Sequence, residues 1–213
     1  MKTDWVLDLS ERLSNGCLPG LDAHKKMAHP QRFIELPPEN AKLAGVMALF
    51  YPKDHHWEMV LIERQSSDSR DQHKGQISFP GGKFDSTDAD LSITATRETE
   101  EEIGVFAQHI KLIGALTPLY ISVSNFHVFP FIGVLDFAPV FKPQVTEVKE
   151  IIEIPIIDLL NPQHQQVSAI QLHKHFILND VPCFHIKEKV IWGATAMIIS
   201  EIVELISPYK SIL

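Results

Sequence analysis

The sequence predicts an α/β domain in which a mixed β-sheet lies between helices, and three observations carry that prediction. Apolar runs over 42–51 and 57–64 have strand length and flank a short polar link at 52–56. A strand–turn–helix follows: Phe79 closes an apolar-alternating run, Pro80-Gly81-Gly82 breaks it, and helical spacing takes over from about Ala89. Strand-like runs continue to Phe137, and residues 195–206 repeat apolar positions at i, i+3 and i+4, which closes the domain with a helix.

Composition agrees. The chain has 213 residues, 45% hydrophobic and 22% charged, enough for one sizeable domain or one domain with an added terminal element. A net charge of −8 argues against nucleic acid or an anionic membrane as partner, and an anionic substrate would need local cations. Cys17 and Cys183 are too few for a disulfide framework, so a reducing cytoplasm is the expected compartment. The first residues lack a basic segment followed by an apolar core, and no apolar run approaches the roughly 18 residues that span a bilayer.

From the N-terminus, residues 3–13 read as a short amphipathic helix, with Trp5, Leu9 and Leu13 at i+4 spacing and Asn15-Gly16 ending it. Residues 21–40, with His24, His29, Pro30, Pro37 and Pro38, read mostly as a connecting arm, which divides the chain into 1–40 and a domain at 41–213. Such an arm could pack on the domain, cover its site or meet a second copy in a homodimer. The 52–56 link is a hairpin loop, and His55-His56 within it is a solvated pair, because neighbouring strand residues point to opposite faces. Residues 110–120 and 126–137 read as strands, interrupted at Thr117-Pro118 and 122–125; Ser124, Asn125 and His127 there read as a turn and a strand end. A proline-punctuated link covers 140–144, and 156–160 is a short helix ended by Asn161-Pro162. Residues 173–178 and 182–186 suggest a hairpin around Asn179-Asp180, with His173 and His175 at an exposed edge.

The chemistry concentrates in residues 78–105. Gly81 and Gly82 free the backbone for positive φ and for close approach to a ligand. Asp85, Ser86, Thr87 and Asp88 can each cap the helix that follows, and Gly104 stands where a C′ glycine would end it. Glu98, Glu101 and Glu102 are spaced i, i+3, i+4, so their carboxylates share one face, with Cβ atoms about 5–6 Å apart. Arg97 can neutralise part of that cluster, and a hard divalent cation would do so better; oxygen-only ligands suit Mg²⁺ or Mn²⁺. Upstream, Arg64, Arg70, His73 and Lys74 form a basic cluster in an acidic chain, either a surface loop or a phosphate-binding one.

Gly82, Asp88, Arg97-Glu98, Glu101-Glu102, Gly104 and Val105 resemble the Nudix box, G-x5-E-x7-R-E-U-x-E-E-x-G-U with U apolar. Asp88 stands for the first glutamate, eight residues rather than seven separate it from Arg97, and Thr99 takes an apolar position. The resemblance implies an α/β/α sandwich and a metal-dependent hydrolase of a nucleoside diphosphate derivative. It implies Glu98, Glu101, Glu102 and the Gly81 carbonyl as metal ligands, Glu98, Glu101 or Glu147 as base, and Arg97 as the residue orienting the glutamates. Gly82 and Lys83 follow as substrate-binding positions beside Arg64, Arg70 and Lys74. Glu147-Val148 resembles a Glu-Val pair common in the family, ahead of the Ile154-Pro155 step.

A second resemblance concerns substrate. Nudix hydrolases of coenzyme A carry L-L-T-x-R-[SA]-x3-R-x3-G-x3-F-P-G-G, and Leu61-Ile62-Glu63-Arg64, Arg70, Gly75 and Phe79-Pro80-Gly81-Gly82 look similar. The Gly75–Gly82 spacing fits; the gaps on each side of Arg70 are one residue longer, and Gln65 replaces the small residue. The resemblance implies coenzyme A or an acyl-CoA, cleaved to adenosine 3′,5′-bisphosphate and phosphopantetheine. ADP-ribose, another nucleotide sugar, or a non-catalytic ligand sensor are the alternatives.

Overall fold

Asp54 and His55, at φ of 45° and 69°, make the tight turn that folds β1 (Lys42–Lys53) back on β2 (His56–Arg64). Positive φ at both central positions is the type I′ geometry that matches strand twist. The computed structural model describes residues 4–32, 36–65, 75–173 and 176–213. β1 and β2 are the centre of an eight-stranded sheet that also holds β3 (Ile77–Ser78), β4 (Gly81–Lys83), β5 (Lys111–Ala115), β6 (Leu119–Ile121), β7 (Phe126–Val134) and β8 (Val148–Pro155). The order β3-β2-β1-β7-β5 carries β4 on β1, β6 on β7 and β8 on β2. β1 and β7 run parallel from Lys42↔Phe126 to Phe50↔Val134 while the other pairs are antiparallel, so the sheet is mixed, as expected.

Alternation along β1 and β2 sends side chains to two buried layers. Met47, Leu49, Tyr51, Val60 and Ile62 pack with Ala95 and Ile103 of α3 (Leu91–Ile103). Ala48, Phe50, Met59 and Leu61 face the other way, onto α1 (Asp4–Ser14) and α5 (Gly193–Ile206). Helices therefore flank the sheet on both faces. Trp5, Leu9 and Leu13 of α1 belong to that second core, each buried apolar side chain contributing about 1.5–3 kcal/mol. The N-terminal segment is thus packed onto the domain.

Several elements differ from expectation. The 21–40 arm contains α2 (Gly20–Lys26), which the prolines downstream mask in the sequence. α3 begins at Leu91 and is capped by Asp90, whose carboxylate accepts from Ser92 N and Ile93 N. The 110–120 run breaks into β5 and β6 at Leu116–Pro118, yet both strands pair antiparallel with β7, from Lys111↔Val134 to Ile121↔Phe126. The expected hairpin around Asn179-Asp180 is instead a register shift inside β10 (Phe176–Ile186), with Asp180 at φ 55°. β10 pairs with β9 (Gln165–His173) and β11 (Lys189–Trp192) as a separate three-stranded sheet that the sequence pattern did not disclose. The short helix α4 (Ile156–Leu159) lies as expected, and Gly104 closes α3 at φ 74°. Among the described residues no helix is long and apolar enough to cross a membrane.

Candidate active site

The site is assembled where β1, β4 and α3 meet. Gly45 of β1 lets α3 lie directly on the sheet: a Cβ there would stand 2.3 Å from the Leu91 carbonyl oxygen. β4 pairs beside it, Gly45↔Gly82 and Val46↔Gly81. Gly82 is as tightly covered, but by a side chain; a Cβ would stand 2.3 Å from the Glu98 carboxyl carbon. The glycine pair is therefore a seat for a carboxylate. Gly81, at φ 149°, donates its N–H to Glu102 Oε2 at 2.9 Å.

Arg97 organises the rest. Its Nε and Nη2 donate to the two oxygens of Asp88, each at 3.0 Å, a bidentate clamp. Thr94 Oγ1 also donates to Asp88, at 2.8 Å. With one edge of the guanidinium anchored, Nη1 reaches Glu98 Oε1 and Glu101 Oε2, both at 3.0 Å. Hydrogen bonds from Arg97 hold the Asp88 carboxyl well below its usual range, and the same bonds push the Arg97 guanidinium up. Asp88, read in the sequence as a candidate cap and an acidic box position, is thus the arginine's anchor. The (i, i+9) spacing to Arg97 gives no local signal for that contact.

The loop after β7 is tied to the end of α3. Lys142 N donates to Ile103 O and Gln144 N to Glu102 O, both at 2.9 Å, which satisfies carbonyls that a helix C-terminus leaves open. Glu147 follows, and its charge acts on both Glu98 and Glu102. Burial pushes the Glu98 carboxyl up, Arg97 offsets part of the rise, and Glu101 and Glu147 add to it. Glu102 is 2% exposed, and burial pushes its carboxyl up to about 7, against the Gly81 N–H and Arg64. Arg64 Nη1 stands 3.8 Å from Glu102 Oε1, and its buried Nε has no hydrogen-bond partner among the described residues.

The geometry brings together Glu98, Glu101, Glu102, Glu147, Arg97, Gly81, Gly82 and Arg64. It does not bring Lys83 there: alternation along β4 turns it to the sheet face opposite Gly82. Arg70, His73, Lys74 and His175 lie outside the described residues. Beyond the expected residues the structure adds Asp88, Thr94 and Asp90.

Among the described residues no three carboxylate, imidazole or thiolate groups converge closely enough to form a ready metal cage. Arg97 Nη1 bridges Glu98 and Glu101 instead. The donors nevertheless fit a hard divalent cation in type and charge. All are oxygens, and burial and mutual repulsion hold Glu98 and Glu102 above their ordinary values, a penalty that a cation would relieve.

A β-strand–Gly-Gly–helix seat carrying clustered glutamates and a clamped arginine defines a class of metal-assisted hydrolases, and the comparisons name it. The NUDIX domain family model matches residues 41–174. Two relatives, both described as uncharacterized Nudix hydrolase NudL, come from Yersinia pestis (strain Pestoides F) and Yersinia pseudotuberculosis serotype O:1b. Each is 33% identical over 150 residues, covering 70% of this chain and 74% of the relative. Among solved structures, a Nudix hydrolase from Alicyclobacillus acidocaldarius aligns with a TM-score of 0.46 and 17% identity, over 58% of this chain and 82% of that one. The NUDIX domain of Shewanella oneidensis NrtR, solved with ADP ribose, aligns with a TM-score of 0.45 and 18% identity, over 65% and 85%. The chain belongs to the Nudix hydrolase family, whose members act on nucleoside diphosphate derivatives and generally use divalent metal ions.

Proposed function

We propose that this Nudix hydrolase cleaves the diphosphate of coenzyme A or an acyl-CoA, releasing adenosine 3′,5′-bisphosphate and phosphopantetheine, in the cytoplasm. The observation that carries the reading is Arg64: it comes from the segment resembling the coenzyme A signature and lies 3.8 Å from Glu102 of the box. That proximity supports a role at the hydrolytic helix for the segment that resembles the coenzyme A signature.

Mg²⁺ or Mn²⁺ held by Glu98, Glu101, Glu102 and a Gly81 carbonyl would neutralise diphosphate charge and acidify a bound water. The chain's own groups do the rest. Asp88 locks Arg97, and Arg97 orients Glu98 and Glu101 toward the Gly81-Gly82 turn. Glu98, Glu101 or Glu147 takes the proton from the attacking water, which enters in line with the leaving phosphate oxygen. Arg64, with Arg70 and Lys74 further along the same segment, receives the phosphates, and Gly82 leaves room for the Glu98 carboxylate beside them.

The test is a panel of coenzyme A, ADP-ribose and nucleotide sugars with Mg²⁺ or Mn²⁺, wild type beside Glu101→Gln. Phosphomonoester release from coenzyme A that the variant loses is the expected result. Cleavage of ADP-ribose alone would retire the coenzyme A assignment and keep the chemistry. Ligand binding with no turnover on any member would make the protein a sensor.

A further inference from the structure

A cavity among the described residues lies remote from the glutamates. It lies beside Pro52 and Trp57, at the turn of the β1–β2 hairpin, whereas Val46 marks the glycine seat. Six residues of strand separate the two, about 20 Å. The cavity holds about 460 Å³, within the range of small-molecule sites.

Its wall and rim differ in character. Val6, Trp57, Val134 and Leu135 are buried apolar side chains that line it from α1, β2 and the end of β7. The rim carries Lys111, His109 and Asp136, all exposed. The His109 ring is set edge-on to both Phe106 and Phe137, at 5.8 and 5.5 Å between centroids, which fixes that side of the mouth. Register pairs Lys111 with Val134, two residues ahead of Asp136, so both charges sit at one edge of the sheet. Yet Lys111 and Asp136 do not approach within 4.0 Å of each other, and neither forms an ion pair with any described residue. An ammonium and a carboxylate, both unpaired, thus face one apolar hollow.

We infer that this cavity is a second ligand site, and that it takes a small zwitterion with an apolar body, the chemistry of an aromatic or aliphatic α-amino acid. The ligand's carboxylate meets Lys111, its ammonium meets Asp136, and its side chain lies against Trp57, Val134 and Leu135. A purely anionic ligand would leave Asp136 opposed, and a purely cationic one would leave Lys111 opposed; only a ligand bearing both charges complements the rim. The inference is independent of which diphosphate the glutamate site cleaves.

Isothermal titration calorimetry of the full chain with L-phenylalanine, hydrocinnamate and phenethylamine tests it. The last two keep the ring and carry one charge each. Saturable one-to-one binding of phenylalanine is expected, weakened about tenfold or more by Lys111→Gln or by Asp136→Asn and by omission of either charge from the ligand. Both substitutions are at exposed positions away from the glutamates, so turnover at the diphosphate site stays unchanged. Failure of phenylalanine to saturate, or equally tight binding of either singly charged analogue, overturns the inference.

Discussion

Two buried glutamates, on helices packed against opposite faces of one sheet, differ in what surrounds them. Glu201 of α5 is fully buried and saturated with donors: His24 Nε2 at 3.0 Å, Thr117 Oγ1 at 2.7 Å, Thr117 N at 3.2 Å and Gly20 N at 3.2 Å. Burial raises its carboxyl, but the bonds from His24 and Thr117 outweigh burial and hold it below the ordinary value. Glu102 of α3 has one backbone N–H, an arginine at 3.8 Å and two like charges nearby, and burial pushes it up to about 7. A carboxylate that joins elements together is given enough donors to stay ionised. One left short of donors carries a burial cost that a bound cation would relieve. Glu201 fastens α2 and the 116–118 link to α5, and Glu102 is the one proposed above to hold metal.

Substitution separates the two. Glu102→Gln should lower hydrolysis about 10³-fold, measured as initial rates at saturating metal. The same change should not destabilise the metal-free protein at pH 8. Because the folded value lies above the ordinary one, ionising Glu102 opposes folding. That cost is absent below the unfolded pKa, grows as pH rises from about 4.5 to about 7, and is complete above it, at about 3 kcal/mol. Urea denaturation across that window should show the slope in wild type and lose it in the variant. A wild-type curve with no such slope would remove the contrast between the two glutamates.

Glu201→Ala should act the opposite way. It leaves the Thr117 and His24 donors buried without a partner and should cost about 3 kcal/mol of stability, with turnover per folded molecule preserved. Glu201 has a depressed folded value, so its contribution is present above the ordinary carboxylate pKa and is lost as pH falls through the folded one. Acid denaturation of wild type and variant should converge there.

The two glycines under α3 sharpen the same distinction. Gly45→Ala drives a methyl into the Leu91 carbonyl, so helix and strand must separate, at about 2 kcal/mol of stability. Gly82→Ala meets only the Glu98 carboxylate, which can swing away, so melting should move little while turnover drops. Equal losses of stability would mean that Gly82 serves packing alone. The smallest effect is expected of Asp88→Asn, which loosens Arg97 without removing a glutamate. Activity should fall about tenfold, and Asp88→Glu, with a carboxylate restored, should recover part of it.

Much of this site could be read before folding. The glutamate face, the glycine pair, Arg97 and Gly104 are close in sequence, and helical spacing alone places Glu98, Glu101 and Glu102 together. The β1–β2 hairpin was legible for the same reason, since a polar link between two apolar runs is a local signal. Where reading failed, the partner was distant or the cue ambiguous. Asp85 to Asp88 all resemble caps, and the turn gave that role to Asp90 while turning Asp88 to Arg97. Asn179-Asp180 has the composition of a hairpin turn, but β10 continues through it because β9 pairs on both sides of the shift.

Sequence by itself determined the family, the mixed α/β layering and the acidic helix face, because each rests on residue type at short, regular spacing. Only tertiary structure decided which groups come to that face from elsewhere. Gln144 and Lys142 dock on the end of α3 and carry Glu147 in; β2 delivers Arg64; β4 sends Lys83 away. It also decided which buried glutamate is satisfied. Donor supply to a carboxylate is set by backbone and side chains tens of residues away, as Thr117 and His24 are from Glu201, and no local pattern records it.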